Sequence, residues 1–219
     1  MSLDPLETLQ AVAIAFEALN PEHLELKATA DAIGKVAPLY TIFFSTGKLT
    51  DILTNDLIAH KNELLDPTEK NQHKLAAEDI EHGQLFPTLL KEIEACGGKD
   101  TVKKGGTATA TWGGIWSTRI LRFVANFMLN LRDASRFPTP PASAKAAYKD
   151  SIGKFHGFAV SMIVSTAMSL VPGSRDDLIK KFGGNDEALA KLDRAFTAID
   201  KVTTVLEKWL QANVDAKIV

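Results

Sequence analysis

The chain has 219 residues, of which 45% are hydrophobic and 24% charged, ordinary proportions for a globular protein that can bury a core without disulfide staples. A formal net charge of −2 excludes a global field that would recruit nucleic acid. A single cysteine, Cys96, excludes an internal disulfide, and the N-terminus lacks the basic start and apolar stretch of a signal peptide, so a cytoplasmic protein is expected.

Helical periodicity dominates the chain and strand alternation is scarce. Asp4-Pro5 starts a first helix, with Leu6, Leu9, Val12, Ala13 and Phe16 on one face and a stop at Asn20-Pro21. A second helix is predicted over about Glu22–Phe44, bent at Pro38, and a third over Lys48–Leu65. A fourth spans about His73–Ala95, kinked or split at Pro87. The glycines and lysines from Cys96 to Thr107 read as a surface loop. The central helix follows, over about Ala108–Ala134. Phe137-Pro-Thr-Pro-Pro141 is a stiff connector. Helices then run over about Ser143–Phe155, His156–Leu170, Ser174–Phe182 and Asn185–Val214, the last capped by Asn185 or Asp186. The stretch 155–174 carries no Lys, Arg, Asp or Glu, yet His156, Ser161, Ser165, Thr166, Ser169 and Pro172-Gly173 interrupt it. It is read as a deeply buried helix rather than a membrane span. The pattern as a whole predicts one all-α domain over residues 1–219.

No catalytic constellation assembles. Glu78, Asp79, Glu81 and His82 crowd one turn, with Asp79 and His82 at a metal-ligand spacing, but no second acid–His pair completes a carboxylate-bridged centre. They read as a solvated charged turn. Gly98-Lys99 lacks the remaining residues of a phosphate loop, and nucleophile-elbow and metalloprotease motifs are absent. No enzyme, no cofactor and no metal are expected.

Three other groups suggest a binding site. Trp112, Trp116 and Arg119 share one stripe of the central helix, where an indole face can pack on the C–H groups of a sugar while the guanidinium donates hydrogen bonds. Core burial of the tryptophans and a surface ion pair for Arg119 is the alternative. His156 opens an apolar helix, either as a helix-end residue or as a ligand contact. Asp51 and Asn55, four apart, can grip vicinal hydroxyls or an amide, or can simply cap and face solvent.

Together these segments resemble the glycolipid transfer protein family from near Val36 almost to the C-terminus. Three blocks carry the resemblance, in family order. They are Phe43-Phe-Ser-Thr-Gly-Lys-Leu-Thr-Asp-Ile-Leu-Thr-Asn55, Ala110-Thr-Trp-Gly-Gly-Ile-Trp-Ser-Thr-Arg-Ile-Leu-Arg-Phe123, and Tyr148 followed by His156-Gly-Phe158. The resemblance implies a two-layer all-α sandwich of about eight helices that binds glycosphingolipid and moves it between membranes. The sugar sits on the surface and the ceramide chains in an apolar sleeve. It implies that Asp51 and Asn55 hydrogen-bond the sugar, that Trp116 stacks on it, and that His156 binds the ceramide carbonyl while Asp51 also takes the amide N–H. Arg119, Trp112 and Tyr148 are neighbours of that site. Phe123, Phe127, Val160 and Val164 are sleeve positions chosen by helix face. Phe158 resembles the residue that docks on a transient membrane surface.

The chain departs from the family pattern at Ile58, where glycolipid-binding members usually carry Lys seven residues after the Asp; Lys48 or Lys61 are the nearby substitutes. A competing register places Asp56 and His60 at the headgroup instead. Members that bind ceramide-1-phosphate have two cations where this chain has Trp112 and Trp116, which disfavours a phosphate. A ceramide-1-phosphate carrier and a transfer-inactive interaction protein of the same fold are the competing functions. The oligomeric state is left open.

Overall fold

A computed structural model describes residues 4–44, 47–65, 75–98 and 109–214. Eleven α-helices lie among them: α1 Pro5–Glu17, α2 Leu26–Gly34, α3 Ala37–Phe44, α4 Lys48–Leu65, α5 Ala77–His82, α6 Leu85–Ala95, α7 Ala110–Arg132, α8 Pro140–Asp150, α9 Phe158–Met168, α10 Arg175–Lys180 and α11 Asp186–Asn213. A 3₁₀ turn, Ile152–Phe155, joins α8 to α9. No strand occurs among the described residues, only an isolated bridge between Glu25 and Gln84. Beyond Gly98, the expected surface loop lies outside the described residues.

Local chemistry sets most helix ends. The Asp4 carboxylate accepts from the amides of Leu6 and Glu7, and Asn185 accepts from Ala188 at 2.9 Å. Two expected helices are instead pairs. The second breaks after Gly34, where Lys35 and Val36 separate α2 from α3, and the fourth breaks at Gly83-Gln84 between α5 and α6. Pro38 and Pro87 fall in the first turns of α3 and α6, where a missing N–H costs nothing, so each break lies upstream of its proline. The connector is also shorter than expected. Thr139 caps α8, and Pro140-Pro141 form its first turn.

The helices form a two-layer all-α sandwich with α7 at its centre, in contact with α4, α6, α8 and α11. Fourteen residues of α7 are buried, including Phe123, Val124 and Phe127. Its N-terminus is sealed by the buried Glu92 carboxylate of α6, which accepts from the amides of Ala110 and Thr111 and from the Thr111 hydroxyl at 2.6–2.9 Å. Arg122 ties α7 to Asp200, Thr204 and Glu207 of α11. One apolar core runs from Leu9 in α1 to Leu206 in α11. No helix among the described residues is long and apolar enough to cross a membrane.

The α4–α7 crossing is unusually close. A Cβ added to Gly113 would lie 2.6 Å from the His60 carbonyl oxygen and 2.8 Å from the Glu63 Cβ. The bare glycine therefore lets the backbone of α4 approach the first turns of α7, and brings side chains of the two helices together there.

Candidate lipid-headgroup site

That close approach builds an aromatic cluster. The His60 imidazole lies nearly parallel to the Trp116 indole, with ring centroids 5.4 Å apart and an interplanar angle of 10°. His156, from the link between the 3₁₀ turn and α9, is also parallel to Trp116, at 5.5 Å and 17°. The Arg119 guanidinium lies 4.7 Å from the Trp116 centroid and 3.4 Å from that of Phe155. Trp112 meets Trp116 edge-on at 5.9 Å.

Titratable neighbours set the charges. Burial lowers the affinity of His60 for a proton, but hydrogen bonds and charges from Asp56 and Glu63 outweigh it and hold its pKa at about 9. Its Nδ1 lies 2.7 Å from Glu63 and its Nε2 3.5 Å from Asp56. His60 is thus an imidazolium at neutral pH. His156 moves the other way. Burial is the main cause, Asp56 opposes it, and Arg119 and His60 add to it, so the ring is neutral. The Tyr148 hydroxyl stands 2.9 Å from its Nδ1 and 3.2 Å from the Ser161 hydroxyl. Burial brings the Arg119 pKa down to about 10, which leaves it charged.

A small cavity of about 30 Å³ opens beside the cluster. Asp56, Tyr148 and His156 form its polar wall, and Phe123, Val164 and Met168 its apolar one. An aromatic chain leads inward from it. Phe123 stacks on Phe127, and the Phe43 ring lies 5.3 Å from Phe127, 5.6 Å from Phe182 and 6.2 Å from Phe196. Phe182 and Phe196 line a second, apolar cavity of about 180 Å³ with Met128, Leu131 and Leu192.

Of the residues singled out in the sequence, the structure gathers Trp112, Trp116, Arg119, Tyr148 and His156 around one point, with Phe123, Phe127 and Val164 buried inward of it. Asp51 and Asn55 are exposed and do not line the cavity. At 100° per residue their stripe is roughly 140° round α4 from that of Asp56 and His60, which faces α7. Val160 is 44% exposed and does not line the cavity either.

The expectation of a deeply buried helix after His156 is corrected. Only Val164, Ala167 and Met168 of α9 are buried, because the helix rests on α4 and α8 along that side alone. Phe158 is 82% exposed, and Val160, Met162 and Ile163 are exposed with it. The acidic turn at residues 78–82 is ion-paired, Glu81 with Lys27 and Asp79 with Lys91. Among the described residues no group of His, Cys, Asp and Glu is arranged to hold a metal ion.

The sequence did not point to Glu63, to Phe155, or to Tyr40 and Met168, which also line the small cavity. Glu63 is three residues from His60 on α4, a spacing visible in the sequence, whereas Phe155 depends on the 3₁₀ turn that carries it to Arg119.

The sequence of residues 28–184 matches the family model of the glycolipid transfer protein. The chain belongs to the glycolipid transfer protein family. No curated protein sequence matches it. Among solved structures, it is similar to human ceramide-1-phosphate transfer protein in complex with 2:0 ceramide-1-phosphate, with 14% identity, a TM-score of 0.75 and 97% coverage of each chain. The fungal glycolipid transfer protein HET-C2 has 19% identity and a TM-score of 0.69, over 90% of this chain and 92% of that one. A variant of Arabidopsis accelerated-cell-death 11 complexed with C12 ceramide-1-phosphate has 19% identity and a TM-score of 0.68, over 97% and 96%. At these identities the structural likeness concerns the fold.

Proposed function

We infer that this chain is a non-enzymatic carrier of a sphingolipid, with a sugar as the favoured headgroup. The observation that carries the reading is the cavity beside Trp116, whose walls join an acid–histidine pair, Asp56 and His156, to the apolar Phe123, Val164 and Met168. A ceramide offers one amide N–H and one carbonyl at the start of its chains. Buried unpaired, such groups cost about 1–3 kcal/mol. Asp56 accepts from the N–H. In the tautomer whose Nδ1 accepts a hydrogen bond from the Tyr148 hydroxyl, a neutral His156 keeps its Nε2–H for the carbonyl. Both cavities are smaller than a lipid chain, so uptake opens the Phe123–Phe127–Phe43 row and the chains replace aromatic contacts with their own. Each buried CH₂ contributes about 0.8 kcal/mol, enough to offset removal from a bilayer without chemistry.

In this reading Asp56, rather than Asp51, holds the headgroup and amide. Seven residues after Asp56 stands Glu63, not the usual lysine. With Trp112 and Trp116 in place of two cations, and with His60 already engaged by two carboxylates, the site favours hydroxyls over a phosphate. Ceramide-1-phosphate is the second reading, since His60 and Arg119 are both cations beside Trp116. The exposed apolar face of α9, led by Phe158, suits transient docking on a membrane surface, and residues 1–219 act as one cytoplasmic domain.

Transfer of fluorescent glucosylceramide and of fluorescent ceramide-1-phosphate between vesicles tests the reading. Glucosylceramide is expected to move faster, with W116A reducing its transfer at least tenfold. F158S is expected to slow transfer while leaving the uptake of a short-chain, micellar glucosylceramide intact. Failure to move either lipid contradicts the reading, and faster movement of the phosphate favours the second one.

A further inference from the structure

The Trp116 platform is already occupied. An indole has two faces, and three groups lie against this one: the parallel rings of His60 and His156, at 5.4 and 5.5 Å, and the Arg119 guanidinium at 4.7 Å. A hexose needs one clear face to bring its C–H groups into contact. A hexose that takes the part of the indole against which His60 lies must displace that ring.

Their anchors differ. Arg119 is buried, with its guanidinium against Phe155 as well as Trp116. His156 is fastened through Tyr148, which bonds Ser161 in turn. His60 is held from its own helix, by Glu63 and by Asp56, whose carboxylate is nearly half exposed. Both polar anchors of the ring stand on α4, so releasing it breaks no hydrogen bond to α7 or to the α8–α9 link.

We propose that His60 is a removable cap on the Trp116 platform, and that a sugar headgroup binds by displacing it. The proposal rests on the sphingolipid reading above and deepens it. Displacement does two things at once. It clears the indole, and it frees the Asp56 carboxylate from His60 so that it can accept from the ligand. Asp56 and Glu63 restrain the imidazolium from α4, Arg119 and the neutral His156 share the Trp116 cluster with it, and each carboxylate it leaves becomes an acceptor for hydroxyls. The free protein thereby shields its stacking face from water, and a lipid without a stacking headgroup gains nothing from opening it. If the cap is open only a fraction of the time, the apparent affinity falls by that fraction. A cap closed for about two-thirds to nine-tenths of the time raises the apparent Kd about 3- to 10-fold.

The test pairs a ligand-free readout with a binding one. The NMR signals of the His60 ring protons are expected upfield in the free protein, from the indole ring current, and closer to ordinary values when C8 glucosylceramide saturates it. Removing the cap with H60A, or loosening it with E63Q, is expected to tighten binding of C8 glucosylceramide about 3- to 10-fold. E63Q keeps the ring and covers the case in which H60A does not fold. His60 signals that stay upfield with lipid bound, or weaker glucosylceramide binding in both variants, overturn the cap alone. Preference of the wild type for C8 ceramide-1-phosphate, lost in H60A, makes His60 a phosphate contact and also overturns it. If the wild type and both variants bind neither lipid, the sphingolipid reading itself fails and the cap falls with it.

Discussion

The Tyr148 hydroxyl stands 2.9 Å from Nδ1 of His156, which holds the ring beside Trp116 in the wall of the cavity. Replacing the tyrosine with phenylalanine keeps the ring packed and removes the hydroxyl's bonds to His156 and to Ser161. A net hydrogen bond is worth about 0.5–1.5 kcal/mol, so Y148F is expected to weaken glucosylceramide uptake about 2- to 10-fold. Its melting temperature should fall by only about 1–6 °C, since the same bond is lost from the free fold. Binding isotherms with C8 glucosylceramide, beside a thermal melt, check both halves.

Two aspartates on one helix separate the registers. Asp56 lines the cavity, whereas Asp51 is exposed in the first turn of α4. A hydrogen bond to a charged group contributes about 1.5–3 kcal/mol, so D56N is expected to slow glucosylceramide transfer about 10- to 100-fold. D51N should stay within about twofold, with a few tenths of a kcal/mol lost from the helix N-terminus. Initial rates of vesicle-to-vesicle transfer for the two variants decide it.

The adjacent glycines of α7 make a sharper pair. Alanine ordinarily stabilises a helix interior by about 0.5–1 kcal/mol over glycine. At Gly113 the added Cβ meets backbone oxygen of His60 at 2.6 Å, which cannot move without shifting α4, so G113A is expected to destabilise by about 1–3 kcal/mol and to part His60 from Trp116. At Gly114 the nearest atoms are side-chain methyls of Leu64 and Leu89 at 3.5 and 3.6 Å, an ordinary contact. G114A is therefore expected to be neutral or stabilising by up to about 1 kcal/mol. Denaturant midpoints for the two variants should move in opposite directions, or only the first should move.

His60 gives the stability a specific pH dependence. Its pKa is about 9 in the folded chain against about 6.5 when unfolded, so the folded state holds the proton more tightly. The contribution is fully present below pH 6.5 and is lost as pH rises through 9. It amounts to about 3–3.5 kcal/mol before solvent screening of the partly exposed Asp56 reduces it. Melts from pH 6 to 10 should show a decline in the wild type that flattens in H60Q.

What the sequence disclosed follows from which interactions are local. The ends of α4 at Lys48 and Leu65 and the caps at Asp4 and Asn185 depend on neighbouring residues, and all were legible. The breaks before Pro38 and Pro87 were displaced because a proline marks the first turn of the next helix as readily as a kink. Which stripe of α4 meets α7 was not legible, since Asp51–Asn55 and Asp56–His60 share the same spacing. The choice is made by the approach at Gly113 and by burial of Leu57 and Leu64, which are tertiary facts. The apolar run through α9 promised burial, yet it covers only one side of that helix, and Phe158 and Val160 remain outside.

The decisive measurement is a structure of the protein with C8 glucosylceramide bound. The hexose is expected to stack on Trp116, with the ceramide amide between Asp56 and His156 and the acyl chain running past Phe123 toward Phe127. A headgroup lodged against Asp51 and Asn55, or a lipid lying away from Trp116 altogether, would contradict this placement.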